Sequence, residues 1–203
     1  MKKTIFLLFI CILFPFYNNA QPIENLDFIS SFHDGLAAIK KDKQWAFINK
    51  EGEIVIDFRK DLVTTKCEDG DYPIFKDGRC IIVNKNNGIS YYGYIDQNGK
   101  LAVEPQFLNA SNFNNNVAIV LKLIKEELGK NEALGKNIVN YKYFEVTIDG
   151  NGNIKNYLTT KGINVVLDKK FLIKPPQFTT KLISENLYMV LNENRTWTIH
   201  KMN

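Results

Sequence analysis

The sequence predicts an all-β fold, an array of about three to four repeats in which each repeat is a β-hairpin or a three-stranded unit. Three observations carry that expectation. Apolar runs of strand length, too short for helices, alternate with turn residues along most of the chain. The stretch Gln44–Phe58, QWAFINKEGEIVIDF, returns in altered form further along. Glycine falls late in the polar loop of the first three copies, at Gly52, Gly99 and Gly152, where a type I turn followed by a left-handed residue places it.

The N-terminus stands apart from this pattern. Lys2 and Lys3 precede an apolar run from Ile5 to Phe14, and Ala20 offers a small residue for cleavage before Gln21. That order is a secretory signal peptide over residues 1–20, with an apolar part too short to span a bilayer. Ile10 before Cys11 excludes a lipoprotein signal, which needs a small residue there. The expected address is periplasmic or extracellular. After Gln21 no apolar run approaches a transmembrane span. The formal charge of +4 falls by two when Lys2 and Lys3 leave, so no nucleic-acid footprint is expected.

In the first repeat, Leu36–Ile39, Trp45–Ile48 and Ile54–Ile56 are three strands, the last two joined by Asn49-Lys50-Glu51-Gly52. The second opens with Phe75-Lys76-Asp77-Gly78, matching Phe32-His33-Asp34-Gly35. Its Tyr92-Gly93-Tyr94-Ile95 matches Trp45-Ala46-Phe47-Ile48, and residues 86–90 form an added Gly/Asn-rich loop, where insertion costs little. A third copy is split between Phe113–Val120 and Phe144–Ile154. A fourth, truncated copy runs from Pro176-Gln177-Phe178 through Ile183–Leu187 to Trp197. The repeats cover approximately residues 28–60, 72–109, 110–156 with an insertion at 121–142, and 171–203.

These residues resemble the WG-repeat proteins: Phe-x-Asp-Gly-Leu-Ala, an aromatic followed by Gly or Ala, Tyr/Phe-Ile-Asp/Asn-x-x-Gly, an apolar pair, then Pro-x-Phe. The likeness is strong over Gly35–Asp57 and Tyr92–Phe113 and weaker in the later copies. The Trp-Gly dipeptide itself stands as Trp45-Ala46, Tyr92-Gly93 and Trp197-Thr198. The resemblance implies a β-rich array, often exported, with no shared catalytic residues and a role in interaction or binding.

The insertion between Val120 and Phe144 carries a small tandem duplication, Glu127–Asn131 followed by Glu132–Asn137. Leu121, Ile124 and Leu128 sit at helical spacing, which allows one short helix. The simpler reading is an elongated polar hairpin loop; the sharper one is a projecting loop that contacts a partner.

Chemistry-bearing patterns are sparse. Gly129–Gly135 followed by Lys136-Asn137 mimics a phosphate loop, but its glycines are one residue too far apart and Asn137 replaces the Ser or Thr. Asp149–Asn153 and Glu68–Asp71 lack the distal Glu of a calcium loop, and turn chemistry explains their content. A Cys–His pair would have to draw on Cys67 or Cys80 with His33 or His200, and no carboxylate pair stands out. No catalytic residue, metal or cofactor is therefore expected. Cys67 and Cys80 are either a disulfide closing a short loop, stabilising by about 3 kcal/mol when unstrained, or two buried thiols.

Trp45, Tyr92 and Trp197 share one repeat position, and Phe47 and Tyr94 another, which marks them as core rather than a sugar platform. Tyr91 lies outside that register. Tyr91, Lys130 and Lys136 are the candidate binding residues, and loops Asp69–Lys76, Asn84–Tyr91 and Lys125–Tyr141 the candidate contact surface. The expectation is a non-enzymatic exported module that binds a protein or an envelope component. The alternatives are a carbohydrate or envelope-polymer binder and an exported hydrolase.

Overall fold

The computed structural model describes residues 23–132, 135–184 and 186–202. The signal segment expected at residues 1–20 lies outside the described residues. Sixteen strands follow in order: β1 Phe28–His33, β2 Leu36–Lys41, β3 Gln44–Ile48, β4 Ile54–Arg59, β5 Thr65–Cys67, β6 Gly70–Tyr72, β7 Cys80–Asn86 and β8 Ile89–Ile95. Then come β9 Leu101–Ala110, β10 Ala118–Asn131, β11 Lys136–Ile148, β12 Ile154–Tyr157, β13 Ile163–Asn164, β14 Thr180–Ser184, β15 Leu187–Leu191 and β16 Trp197–Lys201. Their sheets are antiparallel meanders in chain order: β1–β4, β5–β6, β7–β12 with β13 beside β11, and β14–β16. The all-β expectation holds, and the array consists of open meanders.

The repeated turns form as the sequence predicts. Gly52, Gly99 and Gly152 have φ of +80°, +74° and +84°, a region that only glycine enters without strain. In each turn the side-chain oxygen of the first residue, Asn49, Asp96 or Asp149, accepts backbone N–H groups two and four residues on. Register shifts at Phe47/Ile48, Tyr94/Ile95 and Thr147/Ile148 place a bulge beside each turn.

Successive units are joined by contacts that also repeat. The Phe47 ring meets Phe75 edge-on at 4.8 Å, and Tyr94 meets Phe113 at the same distance. Asp34 Oδ2 accepts the Gly78 N–H at 2.9 Å, and Asp77 Oδ2 accepts the Asn116 N–H at 2.7 Å. Each opening turn thus caps the same turn of the next unit. Two apolar cores result, one around Trp45, Phe47, Tyr72, Phe75 and Cys80, the other around Tyr94, Phe107, Phe113 and Val146.

The third junction is built differently. Register pairs Ile119 with Thr147 and Leu121 with Glu145, which puts Glu145 and Thr147 on the face where the earlier units carry Trp45/Phe47 and Tyr92/Tyr94. Glu145 is fully buried, and its carboxylate accepts the N–H and hydroxyl of both Thr179 and Thr180. A polar clasp replaces the aromatic pair.

Among its described residues the insertion holds no helix. Leu121, Ile124 and Leu128 lie in β10, which runs against β11 from Ala118↔Ile148 to Asn131↔Lys136. Three apolar residues at helical spacing do not outweigh a strand already started by Ala118–Val120 and matched by the β-branched Ile138 and Val139. The added residues simply lengthen a hairpin that the repeat already contains. β9 stops pairing at Lys122 and β13 at Lys142, so from Lys125 and Tyr141 outward the pair continues as a two-stranded arm, with a Lys142–Glu126 ion pair at 2.8 Å at its base.

Candidate binding site

Two insertions converge on one groove. The residues added to the second unit lengthen the β7–β8 hairpin, which closes on Asn87-Gly88 with φ of +51° and +80°. Two consecutive left-handed residues, asparagine then glycine, are what the two-residue turn of a twisted hairpin requires. Tyr91 leaves this hairpin from β8, opposite Asn84. Tyr141 leaves the base of the β10–β11 arm, opposite Lys125.

Both tyrosines line a cavity of about 690 Å³ together with Asn86, Asn87, Ile89, Leu167, Asp168 and Lys169. The last three come from the irregular segment between β13 and β14. Its Val165, Leu167, Leu172 and Phe178 pack on Ile89, Leu108, Leu121 and Tyr143, so the segment is strapped across the outer face of the sheet. Val165 N–H bonds to Tyr141 O at 2.9 Å, fixing the strap to the arm. Asp168 Oδ1 accepts the Lys170 N–H at 2.8 Å, and Asp168 O accepts the N–H of Phe171 and Leu172.

The volume falls within the roughly 300–1,000 Å³ of small-ligand sites. Ile89 and Leu167 supply an apolar floor, two phenols supply flat amphipathic faces, and Asn86, Asn87, Asp168 and Lys169 supply donors and acceptors. Burial, and then the neighbouring Tyr141, push the Tyr91 phenol above its ordinary range, so it stays protonated and able to donate. Among the described residues no group of three His, Cys, Asp or Glu side chains is arranged to hold a metal.

A second cavity, about 460 Å³, lies at the first unit and includes Ser31, His33, Cys67, Asp69, Tyr72 and Lys76. Tyr72 Oη donates to Asp69 Oδ1 at 2.6 Å, so the 3.1 Å contact with His33 Nε2 is a bond that the histidine donates. Ser31 Oγ donates to the other Asp69 oxygen at 3.0 Å. The Tyr72 and Ser31 hydroxyls hold the Asp69 carboxyl below the usual carboxylate range, while burial and Asp69 push the Tyr72 phenol up. The chain of bonds ties the 69–72 loop to β1 and leaves Asp69 occupied as an acceptor.

Of the expected binding residues, Tyr91 is in the groove. Lys130 and Lys136 are exposed near the arm tip, opposite Asn137 and Asn131, several residues beyond Tyr141. The structure therefore separates them from Tyr91. Cys67 and Cys80 stand as free thiols beside the first core, Cys67 half-buried and Cys80 buried. His33 is placed as described, and His200 stacks on Tyr188 at 5.2 Å. Tyr141 ends the Lys125–Tyr141 loop, where nothing in the sequence sets it apart from its neighbours. Asp168 and Lys169 carried no signal at all, because their placement depends on how the strap folds.

No curated protein and no solved structure matches the chain at a significant level. The sequence profile of the WG containing repeat matches residues 23–45, 45–59 and 92–122, which hold the first unit, the β8–β9 hairpin of the second and the start of β10. Over these stretches the chain is built of WG containing repeats.

Proposed function

We propose that the protein is a non-catalytic binding module whose repeats are scaffold and whose ligand surface is the groove between the β7–β8 and β10–β11 hairpins. One observation carries this reading: Tyr91 and Tyr141 come from the two places where the copies differ, yet they line one cavity. The shared positions Trp45, Phe47, Phe75, Tyr94 and Phe113, by contrast, are buried in core, and Gly52, Gly99 and Gly152 are held in turns. Residues 1–20 support export of the module, through Lys2, Lys3, the Ile5–Phe14 run and Ala20. Capture from an envelope extract tests the reading, with Tyr91→Ala/Tyr141→Ala as the comparison. The bound fraction is expected to fall at least tenfold with the double variant. Equal capture by both proteins would contradict it.

The groove favours a carbohydrate or envelope polymer as the ligand. Two phenol faces beside amides, a carboxylate and an amine match the apolar faces and hydroxyl edges of a sugar chain. Titration with N-acetylated and neutral oligosaccharides should quench tyrosine emission of the wild type and leave the double variant unchanged. No saturable response with any of them would remove the glycan reading.

A further inference from the structure

The β14–β16 sheet reproduces β1–β3 of the first unit. Ser184 pairs with Leu187 as His33 pairs with Leu36, and Met189 pairs with Ile199 as Ala38 pairs with Phe47. Leu191 pairs with Trp197 as Lys40 pairs with Trp45. In the first unit the face bearing Leu36, Ala38, Trp45 and Phe47 is buried, covered by Phe75 and its neighbours from the next unit. Among the described residues the same face of β14–β16 has no such cover: Trp197 is 50% and Ile199 65% exposed. At the other end of the array, Phe32 occupies the position of Phe75 and Phe113, the rings that cover the preceding unit. It is 48% exposed, with Ile29 beside it at 59%.

We infer that a second copy of this chain docks head to tail, its Phe32 face covering the Trp197–Ile199 face as Phe75 covers Phe47. The occupant follows from continuity with an interface the molecule already forms twice, at Phe47–Phe75 and Tyr94–Phe113. The two faces are different surfaces, so the contact is heterologous and each docked copy leaves one free face at each end. The assembly grows as an open chain rather than closing as a symmetric dimer.

Sedimentation velocity of the purified protein, with Phe32→Asp and Ile199→Asp variants, tests this. Both residues are exposed, so each variant should retain the wild-type melting curve, and that is checked first. Wild type should show a mass that rises with concentration past the dimer. Each variant alone should be monomeric, since one face of every copy is blocked. An equal mixture should form a dimer and nothing larger, because Ile199→Asp keeps its head face and Phe32→Asp its tail face. A wild type that stays monomeric to about 100 μM, a range that includes weak contacts of μM affinity, would overturn the inference. So would a Phe32→Asp variant that still self-associates, the mark of a tail-to-tail pair, or a mixture that fails to pair.

Discussion

The Glu145 carboxylate accepts both groups that Thr180 offers, the backbone N–H at 2.9 Å and the hydroxyl at 2.5 Å. Thr179 gives the same pair of bonds to the other oxygen, at 2.7 and 2.6 Å. A buried acceptor-only group is stable here because all four donors converge on it. Glu145→Ala should therefore cost about 3 kcal/mol, since it removes the acceptor of two N–H groups and two hydroxyls at the junction. Urea unfolding measures this. A loss below about 1 kcal/mol, the worth of one ordinary hydrogen bond, would show that the clasp does not hold the fourth unit to the third.

The turn glycines should differ among themselves although all three are left-handed. A Cβ at Gly52 meets nothing within 4 Å, whereas one at Gly152 would lie 2.9 Å from Val103 Cγ1. Gly52→Ala thus carries only the backbone penalty of about 1 kcal/mol. Gly152→Ala adds a clash and should lower the melting temperature further. Identical melting temperatures for the two variants would contradict the packing described for the third turn.

Thiol chemistry separates the two states left open by the sequence. Cys80 is buried and burial pushes its thiol up, so native protein should resist labelling there, while half-buried Cys67 reacts slowly. Unfolded without reductant, the protein should take two labels, one on each of Cys67 and Cys80. Zero labels would establish the disulfide instead.

Tyr94 gives the fold a sign of pH dependence. It is buried, its hydroxyl donates to Ser111 O at 2.6 Å, and burial raises its phenol above the ordinary value of 10.0. A phenol raised in the folded state contributes stability that is complete below the unfolded pKa and is lost as pH rises above it. Stability should therefore fall from about pH 10 upward, and Tyr94→Phe should flatten that fall. An alkaline limb unchanged by the substitution would assign the loss to other groups.

Much of this was legible in the sequence, for a physical reason. Turn glycines, strand-length runs and the Phe-x-Asp-Gly openings are local requirements that every copy must meet, so they recur as letters. At Leu121, Ile124 and Leu128 the spacing allows a short helix beside the elongated hairpin that forms, because three residues cannot distinguish a helix face from a lengthened strand. The Glu145 clasp was hidden for a different reason. Its partners Thr179 and Thr180 lie 34 and 35 residues away and belong to another copy. Tyr91 was found as the ring outside the repeat register, but its partners were not. Tyr141 and the strap meet it only once both hairpins are folded.

The central claim is that the repeats are scaffold and that the groove binds. Backbone amide shift mapping during titration with N-acetylated oligosaccharides addresses it most directly. The account predicts shifts confined to Asn86–Tyr91, Tyr141 and Leu167–Lys169, with the turns at Gly52, Gly99 and Gly152 silent. Shifts centred on those turns or on the shared strands, with the groove unmoved, would contradict it.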